Sequence, residues 1–214
     1  MYYQNMYHMP TSPRLITVTG FGEVAAAPNY VKLQVEVITK AQEARKAQKE
    51  NAVLMNQVIQ SLLSLGIQQE DMQTASYRIS PNYDFIDGNQ LFRGFEVSNA
   101  LAVNVREMEK VALVIDTAVK NGANSVSGIV FKLDDAEKYN HQALQLALLN
   151  ARRKAKAIAA TMNVHISSEP IEIEEIQAFE QPLYSRATLA NETNTPIEAG
   201  LISVSAALKV TFHY

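Results

Sequence analysis

The order of hydrophobic periods along this chain predicts an α+β protein: two-layer α/β lobes, a mainly antiparallel sheet, and three helices packed on one face. Three observations carry that expectation. Short segments alternate apolar and polar residues with period two, three longer segments switch to period 3.6, and the sequence of elements is ββα, ββα, βα, ββ. Paired strands separated by few helices favour an antiparallel or mixed sheet over a doubly wound parallel one. At 214 residues and 47% hydrophobic content, the chain is long enough for one large domain or two small lobes with a real core.

The elements follow in order. Leu15 to Thr19 is a short apolar strand. Val31, Leu33, Val35 and Val37 then alternate with Lys32, Gln34 and Glu36, the signature of a strand covered on one face. From Ala41 the period changes: Ala44, Ala47, Asn51, Leu54, Val58, Leu62 and Leu65 form one helical stripe that stops at Gly66. Gln73 to Ser80 and Phe95 to Val105 read as strands joined by a long hairpin, with Asp87-Gly88-Asn89 supplying its turn. A helix from about Glu107 to Lys120 ends at Asn121-Gly122, and a strand from Val126 to Leu133 follows. Asp134 is the expected N-cap of the last and longest helix, with Glu137 three residues later in capping-box position. The expected apolar stripe of that helix is Leu144, Leu148, Ala151, Ala155, Ile158 and Met162. Ile171 to Phe179 and Ile202 to Tyr214 close the chain as strands, separated by the polar, aperiodic loop 181–200.

Composition excludes several chemistries. The chain has no cysteine, so it offers no disulfide, thiolate nucleophile or cysteine-ligated metal. Its 19 basic and 22 acidic residues give a net charge of −3, too small for general attraction to nucleic acid or an acidic membrane. No apolar run reaches the roughly 18 residues of a transmembrane helix. The opening segment lacks the basic end and apolar core of a secretory signal, which predicts a cytoplasmic location unless a signal has been removed. Residues 1–13 hold three tyrosines, three methionines and two prolines without a period. They read as a flexible tail.

Gly20-Phe21-Gly22-Glu23-Val24-Ala25 fits the spelling of a dinucleotide-binding turn. Such a turn must open a helix whose N-terminus receives the pyrophosphate, and here Pro28 and an alternating strand follow instead. The glycines are therefore expected to permit a tight turn or bulge between two strands.

Ile16-x-Val18-x-Gly20-x-Gly22-Glu23-Val24, then Pro28 and an alternating strand, resembles the opening of the SIMPL-domain family, a domain of unknown function with YggE-like and periplasmic immunogenic protein-like members. The similarity continues through central Asn51, Leu65-Gly66-Ile67, Asp71-x-x-Thr74, Ile79-x-Pro81-x-Tyr83, Asn99, Asn121-Gly122-Ala123, the A-x-x-K-A-x-x-I-A spacing of Ala151 to Ala160, and Gly200 with the strand behind it. The resemblance implies an α+β body of two-layer lobes spanning residues 14–214 as a single SIMPL-like domain, in which the ββαβ segment 72–133 can form one of two lobes. It also implies links to oxidative-stress defence in bacteria and to a receptor-associated kinase in animals, and a homo-oligomer that in at least one relative is ring-like. The family brings no catalytic residue set and no cofactor, so none is assigned. Asn29 departs from the aspartate that usually follows the proline.

Tests of individual constellations leave no catalytic centre. His8, His141, His165 and His213 share no metal-ligand spacing. Arg152, Arg153, Lys154 and Lys156 fall opposite or beside the apolar stripe of the long helix, as a solvated face does, and lack the aromatics of a nucleic-acid site. Adjacent Asp134 and Asp135 point apart, and Ser185 has no nucleophile elbow. Asn51, polar within an apolar stripe, is expected to tie its helix to neighbouring backbone. Gly20, Gly22, Glu23, Pro28 and Asn51 are thus structural positions. The candidate interaction surface is aromatic: Tyr83, Phe85, Phe92 and Phe95 around the hairpin, with Leu183, Tyr184 and Arg186 in the late loop. The expected function is a non-enzymatic homo-oligomeric or partner-binding protein. The alternative is a small-molecule binding protein or enzyme with a cleft between lobes.

Overall fold

A computed structural model describes residues 14–177 and 196–214. Among these residues, seven strands and three α-helices form two compact units, with antiparallel pairing in both sheets.

The first unit is a three-stranded sheet with strand order β1-β7-β6, built from β1 (Leu15–Ala26), β6 (Glu172–Ile176) and β7 (Ile202–His213), with helix α3 (Ala136–Thr161) packed on it. β1 runs through Gly20 and Gly22 as one strand, so these residues form no turn between two strands, contrary to that part of the sequence expectation. Their role is steric. A Cβ at Gly20 would collide with the Ala147 carbonyl oxygen and lie 2.8 Å from the Ala151 Cβ, and one at Gly22 would collide with the Ala143 carbonyl. Helix and strand therefore meet backbone to backbone. The buried row of α3 is Ala143, Ala147, Ala151, Ala155 and Ala159, while Ile158 and Met162 of the predicted stripe are exposed. A strict spacing of four follows a ridge inclined to the helix axis. That ridge, and not the straight stripe of largest side chains, faces the sheet because only methyl groups fit against glycine.

Asp135, not Asp134, caps α3, its carboxylate accepting from the Lys138 amide at 3.0 Å. Asp134 is occupied elsewhere, as described below.

The second unit is a four-stranded sheet ordered β3-β4-β2-β5, from β2 (Tyr30–Ala41), β3 (Met72–Ile86), β4 (Asn89–Val105) and β5 (Ser125–Lys132). Helices α1 (Ala44–Ser64) and α2 (Val111–Lys120) supply its core partners. Alternation in β2 sends Val31, Leu33, Val35 and Val37 to the helical side, where they meet Val58 and Leu62 of α1, Val103 and Val105 of β4 and Val114 of α2. Each such fully buried side chain contributes about 1.5–3 kcal/mol before entropic costs. β4 and β5 both pair with β2 and not with each other, and the compact unit that holds them takes in residues from Ala27.

All three helices close in the same way. The amide two residues past the C-cap bonds back across the last turn in Ile67 to Leu62, Ala123 to Ala118 and Val164 to Ala159, the Schellman arrangement.

Candidate functional site

The β3–β4 hairpin turns on Asp87-Gly88, both at positive φ (50° and 78°), with Ile86 paired to Asn89. This two-residue loop matches the right-handed twist of the strands it joins. Near the sheet the hairpin is well supported, because β4 also pairs with β2. That support ends at Ala41↔Phe95. Among the described residues, 82–94 continue as a two-stranded ribbon, held at its base by Gln42, whose Nε2 donates to the Arg93 carbonyl at 3.1 Å; such a ribbon is of marginal stability in water unless something covers it.

A bulge at the same place sets the aromatic arrangement. Asn82 pairs with Gly94 and Tyr83 with Phe92, leaving Arg93 as the extra residue. Phe92 and Phe95, three apart in sequence, therefore meet edge to face at 5.5 Å, and Phe92 meets Tyr83 across the ladder at 5.6 Å. Phe85, opposite Gln90, is 75% exposed; Tyr83 and Phe92 are also exposed, and Phe95 is half-buried. Arg93 pairs with Asp84 at 2.6 Å, and Ile86 and Leu91 are exposed as well. The tip is thus a largely apolar surface that also carries the Arg93–Asp84 ion pair and Asp87 at its turn. Leu183, Tyr184, Ser185 and Arg186 lie outside the described residues, as does His8.

The other singled-out residues are dispersed. Asn51 is fully buried; its Nδ2 donates to the carbonyls of Val37 at 2.7 Å and Val97 at 3.1 Å, which pins α1 to β2 and β4. Its Oδ1 is buried without a hydrogen-bond partner among the described residues. Glu23 accepts from the Ser203 hydroxyl, and Pro28 is buried in the link from β1 to β2. His141 stands 3.7 Å from Glu137 on the α3 surface, and His165 and His213 are exposed. Among the described residues no three metal-ligating groups gather. No described helix is long and apolar enough to cross a membrane.

Three groupings escaped the sequence reading. Arg106 bonds the buried Asp71 through Nε and Nη2 and reaches Asp134 at 3.5 Å. The hydrogen bond to Asp71, then the charges of Asp71 and Asp134, raise the Arg106 pKa above its ordinary value. Asn29 accepts from the Asp134 amide at 2.8 Å; an aspartate would offer the same acceptor, so the family departure leaves this bond intact and spares Asp134 a like charge. Finally, Lys154 does not merely solvate α3. Its ammonium donates to the Thr19 carbonyl at 2.7 Å and sits 5.1 Å from the Phe21 ring, while Asn150 accepts from the Phe21 amide at 3.2 Å. Long-range partners of this kind leave no periodic trace in a sequence.

A family model described as SIMPL, protein of unknown function (DUF541), matches residues 16–212. The chain belongs to the SIMPL family. The match takes in the glycine strand, the Asn51 helix, the hairpin and β7, so the features above are those of a SIMPL body. Among relatives, a "26 kDa periplasmic immunogenic protein" of Brucella melitensis is 29% identical over 216 residues, covering 95% of this chain and 86% of its own. "Uncharacterized protein YggE" of Escherichia coli K12 is 28% identical over 151 residues, 71% of this chain and 61% of that protein. The YggE of Edwardsiella ictaluri is 25% identical over 191 residues.

Proposed function

We propose that this SIMPL protein is a non-enzymatic, homo-oligomeric or partner-binding protein that makes its contacts through the projecting β3–β4 hairpin. One observation carries the reading: among the described residues, 82–94 leave the sheet as a two-stranded ribbon whose tip exposes Tyr83, Phe85, Ile86, Leu91 and Phe92. Exposed aromatics clustered on a projection serve as interface anchors. Its one ion pair, Arg93 with Asp84, is internal to the ribbon and leaves the aromatic side chains open to a partner. The name of the Brucella relative favours a periplasmic place of work over the cytoplasmic one expected from the sequence, and a cysteine-free chain suits either. Stress defence, implied by the family resemblance, is the process such an assembly would serve.

Solution mass by light scattering on a sizing column tests this, with the full chain beside Phe85→Ser/Phe92→Ser. The full chain is expected to run as more than one copy and the variant to fall to a monomer with unchanged far-UV circular dichroism. A full chain that stays monomeric at every concentration and binds no partner through the hairpin overturns the reading.

A further inference from the structure

The second unit carries a groove of about 610 Å³ lined by Thr39, Lys46, Lys49, Glu50, Val53 and Leu54, within the roughly 300–1,000 Å³ range of small-molecule sites. Its origin is topological. Pairing of β5 with β2 extends only to Ser125↔Glu36, and the Asn124 side chain occupies both backbone groups of Ile38. Beyond that point β2 pairs with β4 only among the described residues, and the groove is lined by Thr39 from this end of β2 and by the first half of α1. Leu54 is held from behind by Gly122, where an added Cβ would lie 2.9 Å from a Leu54 methyl.

We propose that this groove binds a small amphipathic carboxylate, with its alkyl chain on Val53 and Leu54 and its head between Lys46 and Lys49. Charge complementarity selects that occupant. Lys46, Lys49, Glu50 and Val53 stand at i, i+3, i+4 and i+7, a single helix face, and this face is separate from the one that α1 buries through Ala47, Asn51, Met55, Val58 and Leu62. Among the described residues neither lysine enters an ion pair, although Glu50 is one turn from Lys46. Two uncommitted ammonium groups and one carboxylate border an apolar floor, leaving one positive charge for a ligand to neutralise. The first turn of α1 holds no acidic residue, and Glu43 at its N-cap makes no side-chain capping bond. Arg45 and Lys46 therefore sit at the positive pole of the helix with Glu43 as the one carboxylate beside them, a placement that a further anion relieves. Thr39 adds no selectivity, since its hydroxyl is spent on the Ala47 carbonyl at 2.8 Å.

The test is a titration of the full chain with decanoate, followed by amide and lysine-ammonium NMR. Saturable shifts at Lys46, Lys49, Val53 and Leu54 are expected, with at least tenfold weaker binding in Lys46→Gln/Lys49→Gln and for decanol, and severalfold tighter binding in Glu50→Gln. Exposed substitutions of this kind usually leave stability almost unchanged, so folding does not confound the result. Equal affinity for decanol, an unaffected double variant, shifts centred on the hairpin aromatics, or no saturation at millimolar decanoate would each overturn the proposal. The hairpin reading is tested separately, by mass.

Discussion

The two helix–sheet interfaces of this protein solve one packing problem in opposite ways. α1 lies on β2 and β4 through Met55, Val58 and Leu62, with one polar peg, Asn51, bonded to two strand carbonyls. α3 lies on β1 through a row of five alanines, three of which, Ala143, Ala147 and Ala151, meet Gly20 and Gly22 with no room for a single added carbon. The first interface gains area from large side chains and fixes its register by a hydrogen bond. The second gains close backbone approach and fixes its register by steric fit. The two should therefore fail under different substitutions: charge at the first, volume at the second.

The largest effect is expected from Asn51→Asp. A carboxylate would face the Val37 and Val97 carbonyls with no donor nearby, and burying such an unpaired charge costs about 3–5 kcal/mol. Burial and the two carbonyls would raise the folded-state pKa of the new acid, so the variant regains stability as pH falls and loses it as pH rises past the unfolded value of about 3.9. Asn51→Leu sharpens the point. It removes the two donated bonds but also the orphaned Oδ1, and its net cost is expected to stay near 1 kcal/mol. Urea unfolding of both variants at several pH values reads the difference; equal, pH-independent losses would mean that the peg acts by shape alone.

At the second interface Gly20→Val is expected to cost about 3 kcal/mol, the upper end for overpacking, because the obstacle is the helix backbone at Ala147 and not a movable side chain. The same substitution should leave the hairpin and the α1 interface unaltered in amide spectra. A loss below about 1 kcal/mol would show that α3 can slide outward, and the steric account of this interface would fail.

These interfaces also explain what the sequence disclosed. Period two in β2 and β4 and period 3.6 in α1 were legible because large apolar residues mark the buried face directly. In α3 the same logic chose Ile158 and Met162 over Ala143 and Ala147, since hydrophobicity favours the larger residue while the actual partner, glycine, favours the smaller. Gly20 and Gly22 looked like a turn for the related reason that a glycine's need for space depends on a partner more than a hundred residues away. In the hairpin the aromatic residues and the Asp87-Gly88 turn were evident. The end of support at Phe95 was not, because it depends on where β2 stops. The Asp71–Arg106–Asp134 cluster lay beyond reach for the same reason, its members being 28 and 35 positions apart.

The smallest expected effect on stability separates the interfaces from the edges they leave. An open strand edge invites pairing with another chain, and each unit closes one with a side-chain amide. Asn124 takes both backbone groups of Ile38 in β2, with bonds of 2.8 and 2.7 Å. Asn150 and Lys154 together take the Phe21 amide and the Thr19 carbonyl of β1. The second closure is available because α3 rides so close to β1 that short and long side chains alike reach past it. Asn150→Ala/Lys154→Ala removes two exposed hydrogen bonds and is expected to cost about 1 kcal/mol in urea unfolding, far less than Gly20→Val. Its main consequence should be kinetic: slow growth of scattering mass under native conditions, as freed β1 edges meet. Growth that Phe85→Ser/Phe92→Ser suppresses equally would assign the association to the hairpin, whereas growth that persists in the combined variant would assign it to the β1 edge that α3 normally seals.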